Sequence, residues 1–126
     1  MFARGVAQQQ LARRIDACGM AAADAAGLAD AWATLPGVAR ALLAEEIDPR
    51  VVAEIVSEEL RALTRRAAVL AEQAMRADGH GAAPCPYAVL VLGSGGRGES
   101  LLAPDQDNAI VFVHGEPDGA EDRWFA

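Results

Sequence analysis

Cysteine, histidine and aromatic residues are scarce in this chain. Its two cysteines, Cys18 and Cys85, stand far apart and belong to no motif. Two free thiols in a reducing compartment are the expectation. With only His80 and His114 beside them, no zinc site can be assembled at such spacing. Both histidines fall in loop-like stretches and are expected at the surface. Three Phe, two Trp and one Tyr make up the whole aromatic complement. Trp32 and Trp124 are expected to fill core or interface space. No run of about 18 apolar residues occurs, so no membrane-spanning helix is expected. The opening MFARGVAQQQ lacks the apolar stretch of a secretory leader, which makes a cytoplasmic location the default.

Bases are scarce where the most distinctive residues lie. From Arg97 onward there are seven acids and two bases, in a chain of net charge −7. Such a surface repels nucleic acid and anionic membranes. A polyanionic nucleotide would bind there only with divalent cations or a local nest of donors.

What is abundant is alanine. Hydrophobic residues are 52% of the 126, and the alanine bias favours closely packed helices. The length suits one modest domain. Residues 1–80 read as a helical region. Leu11, Ile15, Cys18 and Ala22 place one helix over Ala7 to about Ala26. Gly27 and Pro36 then punctuate the chain. Leu28 and Trp32 predict a short helix, and Thr34 or Leu35 would cap another near Pro36 with Val38, Leu42 and Leu43 inward. The clearest helix opens at Asp48-Pro49, a capping side chain followed by a first-turn proline. Val52, Val56, Leu60, Leu63, Ala67, Leu70 and Ala74 draw one stripe along it. Gly79 should stop it after about 28 residues, or about 40 Å. Its length suits either a partner-binding stalk or a backbone on which the other helices pack.

Residues 81–87 read as a linker with two prolines and a glycine. Residues 88–126 have a different pattern. Tyr87–Leu92 and Asn108–Val113 are short β-branched runs expected as buried strands. A helix should start at Ala120. The sequence stops inside that helix, so residues 88–126 are expected to be the first part of a longer, truncated domain. The fold class expected is α+β: helices first, then the opening strands of a mixed sheet.

Between the two runs lies GSGGRGESLLAPDQD. Gly93, Gly95 and Gly98 spell a dinucleotide fingerprint, and the same glycines could form a strand-to-helix turn with no ligand. The dinucleotide reading fails on length, since that fold needs a full crossover helix. Here Pro104 follows Gly98 by six residues, leaving little more than one turn over Glu99–Ala103. A nucleotide-triphosphatase loop fails too, because no Gly-Lys-Ser/Thr follows. What fits is strand, Gly-Ser turn, short helix, then Asp-x-Asp at the start of the second strand. Residues two apart on a strand face one side, so Asp105 and Asp107 should converge while Gln106 faces away. Two carboxylates so close call for a cation between them, and hard oxygen donors suit Mg²⁺ (or Mn²⁺) with substrate phosphates. Gly93, Ser94 and the N–H groups after them would hold phosphate oxygens, and Arg97 could reach the same oxygens.

Gly93-Ser94, ten intervening residues and Asp105-x-Asp107 between apolar strands resemble the signature of the DNA polymerase beta nucleotidyltransferase superfamily. The longer string GSGGRGESLLAPDQDNAIVF resembles the nucleotidyltransferases of domain-of-unknown-function family 294. These often accompany CBS or cyclic-nucleotide-binding domains and are similar to the uridylyltransferase that modifies the PII signalling protein. The helix VVAEIVSEELRALTRRAAVLAEQAM is in keeping with that family. The resemblance is tight over residues 88–113, looser over about 36–87 and silent on the first 35. It implies Mg²⁺-dependent transfer of a nucleoside monophosphate from a triphosphate to a hydroxyl, plausibly on a signalling protein. Asp105 and Asp107 would ligate the metals and act in catalysis, while Gly93, Ser94 and Arg97 would bind the nucleotide. Gly95, Gly96 and Gly98 would shape the turn, Glu99 would bond its N–H groups, and Asn108 would brace the strand or an Asp carboxylate. A non-catalytic nucleotide-sensing module in a signal-transduction protein, and a helical interaction domain whose sheet is only scaffold, are the competing readings. The long helix also makes a homodimer an expectation.

Overall fold

A computed structural model describes residues 21–100, 103 and 106–126. The chain is α+β: two helices, then a two-stranded antiparallel sheet carrying two short helices. The helix expected over residues 7–20, with Leu11, Ile15 and Cys18, lies outside the described residues. Residues 21–24, expected at its end, are not helical. Helix α1 instead begins at Ala25 and runs to Ala44, with Asp24 Oδ1 accepting from the Gly27 N–H at 2.9 Å.

Helix α1 passes through Gly27 and Pro36 without a break, where the sequence predicted two shorter helices. Thr34 caps nothing; its hydroxyl donates to the Ala31 carbonyl within the helix, at 2.7 Å. A mid-helix proline costs about 3 kcal/mol. Tertiary burial offsets that cost here. Ala31, Leu35, Ala39 and Leu42 lie on both sides of the proline and all face the core. Each fully buried leucine alone contributes about 1.5–3 kcal/mol.

Helix α2 spans Pro49–Ala77 and starts as expected, with Asp48 Oδ1 accepting from the Arg50 N–H at 2.8 Å. Gly79, at φ +87°, follows its end. Val52, Val56, Leu60 and Leu63 pack with Ile47 against α1. The predicted stripe does not continue beyond Leu63. Ala67 and Ala74 are exposed and Leu70 is half-buried. The cause is where α1 starts: Arg66 Nε donates to the Ala22 carbonyl at 2.7 Å, so α1 offers no cover past that turn. The second half of α2 instead turns Ala68, Ala71, Glu72 and Met75 toward the sheet and the C-terminal helix. Helix α2 is thus a backbone with a different partner at each end.

Strands β1 (Tyr87–Val91) and β2 (Asn108–Phe112) pair from Tyr87↔Phe112 to Val91↔Asn108. Both were expected to be buried, yet neither has a fully buried residue. Tyr87, Val89 and Ile110 face α2, but Ile110 stays exposed, as do Leu90, Leu92, Val111 and Val113 on the other face. Among the described residues a helix covers one face only. Helix α3 (Gly93–Arg97) follows β1, and α4 (Ala120–Phe125) begins where predicted. Phe125 packs on Tyr87, Phe112 and Trp124 with ring centroids 5.2, 4.7 and 4.8 Å away. Trp124 Nε1 donates to the His80 carbonyl at 3.1 Å. Trp32 is half-buried against the helical core. Both histidines are exposed, and Cys85 is a free thiol.

A polar chain joins the sheet to α2. The Tyr87 hydroxyl donates to Glu72 Oε2 at 3.1 Å, and Arg76 pairs with Glu72 Oε1 at 2.5 Å. The hydrogen bond from Arg76, then that from Tyr87, hold the Glu72 carboxyl below its ordinary pKa. Burial first, and the Glu72 carboxylate second, raise that of Tyr87. A depressed carboxyl stabilises the fold above its unfolded pKa and loses that contribution as pH falls through the folded one. A raised phenol contributes below its unfolded value and loses it as pH climbs toward the folded one. The thermal midpoint should therefore fall on acidification below about 4.3, and again on alkalisation above about 10. Tyr87→Phe should remove the alkaline limb. An alkaline fall of the same size in both proteins would rule the contact out.

Candidate functional site

The site begins where β1 gives way to glycine. Leu92 is still extended, and its N–H donates to the Asp107 carbonyl at 2.7 Å. Gly93 then turns the backbone to φ +56°, and Gly93–Arg97 wind into the single turn of α3. The sequence predicted a Gly-Ser turn leading into a short helix, and the structure winds that helix from the glycines themselves as the chain doubles back on β1. The Gly96 N–H reaches the Leu92 carbonyl at 2.9 Å. A Cβ on Gly96 would fall on the Val91 carbonyl oxygen, so only glycine tolerates that approach. Gly98, at φ +76°, ends the turn, and the Glu99 N–H closes it on the Ser94 carbonyl at 2.9 Å.

Helix α2 holds this turn from behind. The hydroxyl of Ser57 is fully buried and accepts from the Ser100 N–H at 3.0 Å. Ser100 is itself buried, with its Oγ 3.4 Å from Ser94 Oγ. One turn along α2, Arg61 donates to the Gly95 carbonyl at 3.4 Å. Sequence reasoning missed Ser57, Arg61 and Ser100. The available signal was a small polar residue four positions after Ala53 and four before Arg61, on a row that larger side chains would keep at a distance.

Two halves of the expected motif meet. A Cβ on Gly93 would overlap Asp107 Oδ2, with Asp107 Cγ only 3.3 Å away. Backbone and carboxylate are therefore in direct apposition, although fourteen positions separate them in the chain. Asp107 is exposed, just ahead of β2. Asp105 lies outside the described residues, so its convergence with Asp107 does too. Gln106 and Asn108 are exposed, and Asn108 Nδ2 donates to Gln106 Oε1 at 3.4 Å. Arg97 and Glu99 form an exposed ion pair, Nε to Oε2 at 2.8 Å. The Glu99 side chain thus bonds Arg97, and the Glu99 backbone N–H bonds the turn. Gly95 is buried, and Ser94 is half-buried at the lip of the turn.

This donor chemistry fits a hard divalent cation shared with a phosphate. An exposed carboxylate stands beside a glycine that presents only backbone, which leaves phosphate oxygens room to approach both. Among the described residues, no group of three or more His, Cys, Asp and Glu is placed to hold a metal by itself. A cation here would draw its remaining ligands from Asp105, phosphate and water. Nor is any helix among those residues long and apolar enough to cross a membrane.

The chain matches, over residues 33–126, the family described as Putative nucleotidyltransferase DUF294. No curated protein and no solved structure matches.

Two substitutions test the geometry of the turn. Ser57→Ala leaves the buried Ser100 N–H without its acceptor and should cost about 1–3 kcal/mol. Gly93→Ala should cost about 1–2 kcal/mol for the left-handed backbone alone, and it should also push Asp107 aside. Urea denaturation would show both as lowered midpoints. An unchanged midpoint for either would mean the turn is not held in this way.

Proposed function

This chain belongs to the DUF294 family of putative nucleotidyltransferases, matched over residues 33–126, and from that premise we propose that it binds a nucleoside triphosphate at Gly93, Ser94, Asp105 and Asp107. The observation that carries the reading is the contact between Gly93 and the Asp107 carboxylate. It sets the glycine turn beside the carboxylate that this reading makes a metal ligand.

Gly93 and Ser94 would take the phosphate oxygens. The Ser94 hydroxyl, 3.4 Å from that of Ser100, would present a donor at the lip of the turn. Asp107, with Asp105, would hold Mg²⁺ or Mn²⁺. When bound, the cation supplies charge neutralisation on the phosphates and a lowered pKa for an attacking hydroxyl. In the transfer itself, the acceptor oxygen forms a bond to the α-phosphorus. The bond from that phosphorus to the bridging oxygen breaks, and pyrophosphate leaves. Arg97 would stabilise the charge developing there, which requires it to exchange Glu99 for phosphate. That pair is exposed on both sides, and such pairs contribute only about 0–1 kcal/mol, so the exchange is easy. A protein hydroxyl in a signalling pathway is the acceptor this reading favours, and its basis is family likeness.

Calorimetric titration with ATP, UTP, GTP and CTP, with and without Mg²⁺, tests the reading. One triphosphate should bind only with the cation, and Asp107→Asn should weaken it at least tenfold. Asp105→Asn should do the same. Binding that ignores Mg²⁺ and both substitutions would remove the metal from the account. Tight binding without turnover on any supplied acceptor would favour a nucleotide sensor over a transferase.

A further inference from the structure

Beyond the glycine turn, a cleft opens between α2 and the edge of β1 that faces away from β2. Its volume is about 530 Å³, and Arg61, Thr64, Arg65, Val69, Val89 and Gly96 are among its lining residues. We propose that this cleft is a docking groove for an extended acidic polypeptide segment, which adds to β1 as a further strand.

Two independent observations support it. The first is the backbone of β1. Leu92 donates to Asp107, and Val113 donates to Pro86. In this register those are hydrogen-bonded pairs, and such pairs alternate along an antiparallel ladder. Ala88, Leu90 and Leu92 therefore point their backbone groups at β2. Tyr87, Val89 and Val91 point theirs the other way, toward the cleft. Among the described residues no strand pairs with that edge. An open edge is a template for another strand, and pairing with it is an established mode of peptide capture.

The second observation is charge. Arg61 and Arg65 lie one turn apart on the α2 wall of the cleft, in a chain that is otherwise strongly acidic. Their separation along the helix is about 6 Å. Side chains on one face of a strand repeat every two residues, about 6.7 Å. Helix and strand run alongside each other, from the Tyr87–Glu72 contact at one end to the Arg61–Gly95 contact at the other. A strand laid on β1 with acids at alternate positions would thus set successive carboxylates against successive arginines. Arg65 is exposed. Arg61 uses Nη1 on Gly95 and Nε on Glu58, and its remaining donors stay available to a carboxylate.

The test is fluorescence anisotropy of the full chain with a labelled Glu-Val-Glu-Thr-Glu-Val peptide. Its Lys-for-Glu counterpart and a ten-nucleotide single-stranded DNA run beside it. The acidic peptide should bind, more weakly as salt rises, and the other two should not. Arg65→Glu is a surface change that leaves folding intact, and it should weaken the acidic peptide at least tenfold while admitting the basic one. Val89→Pro removes an outward N–H that β2 does not use and should weaken binding to a similar degree. Amide exchange should show new protection at Val89 when the acidic peptide is present. Failure of the acidic peptide to bind, equal binding by both variants, or preference for the DNA would each overturn the proposal.

Discussion

The structure depends on one helix being buried on more than one side. Over its first half, α2 gives Val52, Val56, Leu60 and Leu63 to α1, while Ser57 and Arg61 grip the glycine turn. Its second half carries the sheet. At about 1.5–3 kcal/mol for each fully buried aliphatic side chain, the contact with α1 is the largest stabilising element among the described residues. The glycine turn, with little apolar surface of its own, is held by attachment to a helix fixed from its other side. Loss of the α1 contact would therefore reach the turn without touching it.

The same dependence explains Ser57. A hydroxyl in an otherwise apolar face would be a liability if left unpaired. Here it satisfies a buried backbone N–H that no helix or strand serves. This single hydrogen bond spans 43 positions of sequence and fixes where the chain leaves α3. The helical region and the glycine turn meet across it.

Much of the architecture was legible in the residues. Asp48-Pro49 announced the start of α2, Gly79 its end, and the β-branched runs both strands to within a residue. Local signals failed where tertiary contacts decided. Pro36 reads as a break, yet the leucines on both sides of it are buried together. The stripe past Leu63 reads as buried, yet it depended on how far α1 reaches, which no local pattern records. The strands read as fully buried because apolar runs do not say how many faces are covered. In the candidate site, the glycines and Asp107 stood out because they form a local pattern. Ser57, Arg61 and Ser100 were not, because their roles exist only once distant segments meet. The closeness of Gly96 to the Val91 carbonyl was likewise not legible, because it exists only once the turn has folded back on β1.

The apposition of Gly93 and Asp107 also constrains how such a sequence can diverge. A side chain at position 93 and a carboxylate at position 107 compete for the same space. A descendant that exchanged Asp107 for a smaller residue would lift the steric part of that restriction. Gly93 could then change, although the change that permitted it would have removed the acidic group. The reverse path, side chain first, has to carry the left-handed backbone at 93 and turn the exposed Asp107 carboxylate aside, so a relative bearing a larger residue at 93 should hold that carboxylate in a different place.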